Sequence, residues 1–145
     1  MSASRIDASV VVQAMGAPRD PAALERQADS YRELLGYLPP RVEARLQVTG
    51  ALDPVLVDMQ EQIRAHAMNP PCFDGKTAQL MIFGMLMAEL SDAAVIHGIA
   101  ARRAGASWEE LQAVVSMAYL FRGVSAANRG ADVLARIAER EAQAR

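Results

Sequence analysis

Thiols and lysines are nearly missing from this chain. The single cysteine, Cys72, cannot close a disulfide within one chain, which excludes any intramolecular dithiol mechanism and agrees with a reducing compartment. It reads as a small apolar residue beside Pro70-Pro71. Lys76 is the one lysine among fifteen basic residues; the arginines are spread from Arg5 to Arg145. Aromatics make up 5% of the chain and the formal charge is −2, so no basic stripe interleaved with aromatics exists for nucleic acid to bind. Long apolar runs are also lacking. The longest, Leu80 to Ala88, falls far short of the ~18 to 20 residues that span a bilayer, so no membrane partner is expected. The N-terminus has no basic start, long apolar core and small-residue cleavage site, and a cytoplasmic setting is expected. There is no Gly-rich phosphate loop, no Gly-x-Ser-x-Gly elbow and no Cys-His pair at nucleophile spacing. Two histidines thirty-one residues apart and one cysteine do not make ligand spacing either, so neither a cofactor nor a metal is expected.

What the chain has is helical periodicity between strong breakers. Its 145 residues, 52% hydrophobic and 22% charged, suit one globular domain. Residues 1–19 read as an arm or short helix around Val10 to Val12, and residues 20–145 as the domain. Asp20-Pro21 and Asp53-Pro54 each pair an N-cap with a proline at the first helical position. The first opens a helix with Leu24, Tyr31, Leu34 and Leu35 up to Gly36; the second opens one with Val55, Leu56, Met59 and Ile63 on one face, ending before Asn69. Between them, after Pro39-Pro40, Val42 and Leu46 mark a short helix ending near Thr49-Gly50.

From Lys76 a helix apolar nearly all round is expected to be buried on most sides, with Met81, Met85 and Met87 as core filler, as for Met117 later in the chain. Tyr119 and Phe121 are expected in the core as well. Polar residues Glu89 to Asp92 break the pattern. Ser91 is expected to cap the next helix, with Asp92 in its first turn, running to Gly105. Ser107-Trp108-Glu109-Glu110 has the form of a capping box, and the helix it opens ends at Gly123. A last helix runs from about Ser125 through Val133, Leu134 and Ile137. No strand is required, which makes the fold class all-α, a bundle of six to eight helices.

His97 is the first candidate for chemistry, because an imidazole exchanges a proton near neutral pH more readily than any other side chain. Its neighbours in sequence are apolar, and a core or interface histidine with satisfied nitrogens is the plain alternative. Asp92 and Glu89 are the nearest upstream carboxylates. On one continuous helix they would point about 140° and about 80° away from His97, but a break at Leu90-Ser91 lets Glu89 lean across from another helix. Their alternatives are a helix N-terminal charge for Asp92 and a solvated or ion-paired helix end for Glu89. His66, ahead of Asn69, could join the site only through the tertiary fold.

Lys76-Thr77, the apolar helix, His97, and then AARRAGASWEEL and YLFRGVSAANRGADVL follow an order that resembles the carboxymuconolactone decarboxylase family. LLGYLPPRVEARLQVTGALDPVLVDMQ is similar to the leading helices of that family, and the resemblance covers about residues 31 to 137. It implies an alkylhydroperoxidase-like helical fold, assembly into homotrimers or homohexamers, and a pocket near His97 that a neighbouring subunit often lines. The redox branch of the family carries Cys-x-x-Cys, where this chain has Leu90 and Ala93. The decarboxylase branch carries Thr-Arg where this chain has Thr77-Ala78, and paired glutamates where it has Asp92 and Ala93. The activity implied is proton transfer or decarboxylation on a small carboxylated or carbonyl-bearing ring compound, with His97 as general acid/base and Asp92 or Glu89 beside it. A catalytically silent helical oligomer that binds a small ligand is the alternative.

Overall fold

In a computed structural model that describes residues 6–145, the chain is entirely helical among the described residues. The elements are α1 (Ala8–Met15), α2 (Pro21–Leu35), α3 (Pro40–Leu52), α4 (Pro54–Met68), α5 (Gly75–Ala88), α6 (Ala94–Arg103), α7 (Trp108–Arg122) and α8 (Val124–Gln143). They fall into two units that divide between Ala67 and Met68.

The first unit starts with α1, capped by Asp7, whose carboxylate accepts from Ser9 N. α1 buries no residue, and Val10 and Val12 are exposed. Asp20 caps α2 by accepting from Ala23 N at 2.9 Å, with Pro21 fixing the first turn and Gly36 ending it in the left-handed conformation. Asp53 does the same for α4, accepting from Leu56 N at 3.0 Å. Leu24, Ala28, Leu46 and Val57 form the apolar core of this unit. Beside it sits a polar cluster. Glu61, only 6% exposed, accepts from Tyr31 Oη at 2.9 Å and from both Arg45 and Arg64, tying α2, α3 and α4 together. Arg64 also lies over the Tyr31 ring, 3.8 Å from its centroid.

The second unit packs α5 against α6 and α7, and α8 against α6 and α7. Phe83, Met87, Leu111, Val133 and Ile137 are its largest fully buried side chains. Small residues set the helix spacing. A Cβ on Gly98 would lie 2.3 Å from Ile137 Cδ1, and one on Gly130 would lie 2.3 Å from Val115 Cγ1, so α8 reaches α6 and α7 only because those positions are bare. The Ser107–Glu110 capping box forms with both of its hydrogen bonds. Behind it Arg102 stacks on Trp108, 4.2 Å from the ring centroid, donates to Glu141 at 2.8 Å and to the Ala106 carbonyl at 2.6 Å, and so joins α6, α7 and α8.

Two expectations are corrected, for α5 with the aromatics of α7 and for the start of α6. α5 is buried on one face (Ala78, Gln79, Phe83, Met87) and not on most sides: of the methionines assigned to the core only Met87 is buried, while Met81, Met85 and Met117 are exposed, as are Tyr119 and Phe121. Val55, Leu56, Met59 and Ile63 do share a face of α4, and that face is exposed. Finally, α6 begins at Ala94 and not beside Ser91. Leu90 takes a left-handed φ of 54°, and Ser91 spends its hydroxyl on Ala93 N in a tight turn, leaving Asp92 before the helix instead of in its first turn.

Candidate functional site

His97 lies one turn into α6 and is half-buried. Its position follows from the break ahead of it and the glycine after it. Arginines from two other helices hold the break: Arg122 donates to the Ala88 carbonyl, and Arg129 to the Leu90 carbonyl at 3.2 Å. The Ala88 carbonyl ends α5 and the Leu90 carbonyl lies in the turn after it, so the two guanidinium groups satisfy the acceptors on which the chain leaves one helix for the next. Gly98 then lets α6 approach Phe83 on α5, since a Cβ there would already touch the Phe83 ring at 3.4 Å.

One turn before Phe83 on the same face of α5 stands Gln79, 4% exposed. Its Oε1 faces His97 Nδ1 at 2.9 Å. With the amide oxygen as acceptor, Nδ1 carries the proton and the imidazole lone pair resides on Nε2. An amide has no proton-accepting capacity of its own in this range, so Gln79 orients the ring and does not relay a proton.

The two nominated carboxylates each face an arginine. Asp92 pairs with Arg129, and Glu89 sits 3.9 Å from Arg122; both acids are exposed, and both face the same arginines that bond the carbonyls of the break. The side chain that meets His97 Nδ1 is an amide from eighteen residues upstream, which was not among the candidates read from the sequence. The available signal was a lone uncharged polar residue in an otherwise apolar helix stretch, Gln79 before Leu80 to Ala88. His66 is exposed in the last turn of α4, in the first unit. Lys76 and Glu110 join α5 to α7 at 2.8 Å, and each holds the other in its charged form: hydrogen bonding to Glu110 raises the Lys76 pKa, and hydrogen bonding to Lys76 lowers that of Glu110.

No group of three or more His, Cys, Asp or Glu side chains is gathered in a metal-holding arrangement among the described residues, and Cys72 is exposed. No described helix is long and apolar enough to cross a membrane. In the first unit, a cleft of about 240 Å³ lies between α2 and α3, floored by Leu24, Ala28, Leu38 and Leu46 and rimmed by Glu25 and Arg32. Comparison of the chain with the sequence profiles of known families, with characterised proteins and with solved structures finds no match.

Proposed function

We propose that the chain is a carboxymuconolactone-decarboxylase-like enzyme of alkylhydroperoxidase-like fold, carrying out proton transfer or decarboxylation on a small carboxylated or carbonyl-bearing ring compound. The observation that carries this reading is the 2.9 Å contact between His97 Nδ1 and the buried amide of Gln79. A general acid/base needs its tautomer and ring orientation fixed, and the Gln79 amide supplies both. In the reaction, the bond from ring carbon to carboxylate breaks and CO2 leaves. The electron pair passes into the adjacent carbonyl, and the proton that His97 Nε2 has first taken from the substrate's carboxylic acid is returned to the carbon, leaving the imidazole neutral again. Asp92 and Glu89 act here as positioning groups, holding Arg129 and Arg122 at the break that starts α6. With Leu90 and Ala93 at the places of the redox cysteines, dithiol chemistry has no residues to use. Assembly as a homotrimer or homohexamer belongs to the same proposal.

The test is CO2 release from a panel of carboxylated lactones by wild type and His97→Ala. Turnover is expected to fall by roughly 10²- to 10⁴-fold, the usual worth of a general acid/base, with the far-ultraviolet circular dichroism unchanged. Equal turnover in the two proteins would overturn the role of His97. The cleft between α2 and α3, which contains no histidine, favours a second reading in which the chain binds a small ligand without transforming it; that reading expects no CO2 from any substrate by wild type.

A further inference from the structure

The cleft between α2 and α3 is apolar at its floor and carries carboxylates at its mouth. A packed helix pair closes its seam by setting large side chains against small ones. α2 and α3 close in this way at Leu24 and Gly50, where a Cβ on the glycine would lie 2.6 Å from Leu24 Cδ1. One turn further along α2, Ala28 puts a single methyl on the seam, and about 240 Å³ stays open there. That volume lies below the ~300 to 1,000 Å³ of sites for drug-sized molecules, so the occupant it suits is a small one. The floor of Leu24, Ala28, Leu38 and Leu46 takes an apolar body.

We propose that this cleft binds a small primary amine, as its ammonium ion, through an aliphatic or aromatic body. The charges at the mouth decide between a cation and an anion. Arg32 is the one basic side chain among the described residues that line the cleft, and two carboxylates already hold it, Asp29 at 2.6 Å and Glu25 at 2.7 Å. One guanidinium against two carboxylates leaves the α2 side of the mouth negative, so an incoming anion finds no cation to receive it. Glu25 lines the cleft from α2 and Glu43 from α3, which puts a carboxylate on each wall. An ammonium group has three donors and no acceptor, and carboxylates are its strongest partners. An exposed pair such as Arg32 and Glu25 is worth little by itself, so Glu25 can turn to the ligand while Asp29 keeps Arg32 neutralised. The assignment names a ligand class for the second reading above and rests on that reading; it is independent of the His97 chemistry.

Titration of the full chain, followed by the NMR shifts of its backbone amides, compares three probes of similar shape: 2-phenylethylamine, 2-phenylethanol and phenylacetate. The amine is expected to shift amides of α2 and α3 saturably and to bind about tenfold more tightly than the alcohol, the scale on which a hydrogen bond to a charged group exceeds a neutral one. Phenylacetate is expected to bind most weakly. Glu25→Gln/Glu43→Gln leaves Arg32 and Asp29 as a balanced pair, and it is expected to erase the preference for the amine while the alcohol binds as before. Ala28→Leu fills the floor and is expected to remove binding of all three, with the helicity retained. Phenylacetate binding as tightly as the amine, or a preference that survives the double glutamine variant, would overturn the ammonium assignment and leave the ligand-binding reading standing. No saturable shift with any probe, or shifts confined to other helices, would overturn both. Should Ala28→Leu unfold, the double glutamine variant alone decides: loss of the preference supports the assignment and its persistence rejects it.

Discussion

Glu61 and Gln79 are the two polar side chains buried among the described residues, and they do different work. Burial pushes the Glu61 carboxyl up, but hydrogen bonds from Arg45 and Tyr31 and the charge of Arg64 outweigh it and leave the pKa below its ordinary 4.5. A depressed carboxylate contributes stability that is present above its unfolded value and lost as pH falls through the folded one. Urea unfolding followed from neutral pH to below pH ~4 should therefore show stability falling with acid, and Glu61→Gln should remove much of that slope. The same variant should cost roughly 3 kcal/mol at neutral pH, since it strands two guanidinium groups against a neutral side chain. Tyr31, pushed up to about 12 chiefly by burial, contributes the opposite dependence, present at neutral pH and lost as pH rises from 10 to 12. At the other buried group, Gln79→Leu should lower kcat by roughly 10- to 100-fold through misorientation of His97 and distort the pH–rate profile. A purely structural glutamine would leave that profile unchanged. His97 stood out as a candidate in the sequence because few side chains exchange a proton near neutral pH. Gln79 did not, because its contact to His97 joins two helices and no local pattern in the sequence records it.

Helix ends were the most legible elements. Asp20-Pro21, Asp53-Pro54 and Ser107 to Glu110 state their hydrogen bonds in local sequence, and each forms as that chemistry requires. Ser107→Ala should cost about 1 kcal/mol, measured by thermal unfolding, through loss of the bond to Glu110 N. The start of α6 was misread because a left-handed leucine is not written in any local preference; it follows from Arg122 and Arg129 fastening the carbonyls on either side. Packing distances were likewise hidden. Gly130→Ala improves helix propensity, yet it should destabilise by about 1 to 3 kcal/mol, because its Cβ meets the stiff branched side chain of Val115. Val115→Ala placed beside it should recover part of that loss, a non-additivity that a double-mutant cycle measures.

Taken whole, the chain gave up its class from pattern alone: breakers, caps and period are consistent with helices throughout, and helices are what the described residues form. Which apolar faces point inward was not legible, since Met59 on α4 and Met81 on α5 carry the same pattern a core would need and both are exposed. Thermal unfolding of the second unit can be followed at a single point. The corner where Arg102 lies on Trp108 serves such measurements directly. Trp108 is the single tryptophan of the chain, so selective excitation of its indole isolates one optical reporter at the meeting of α6, α7 and α8, and any event that lifts the guanidinium from the ring becomes visible as a change in emission.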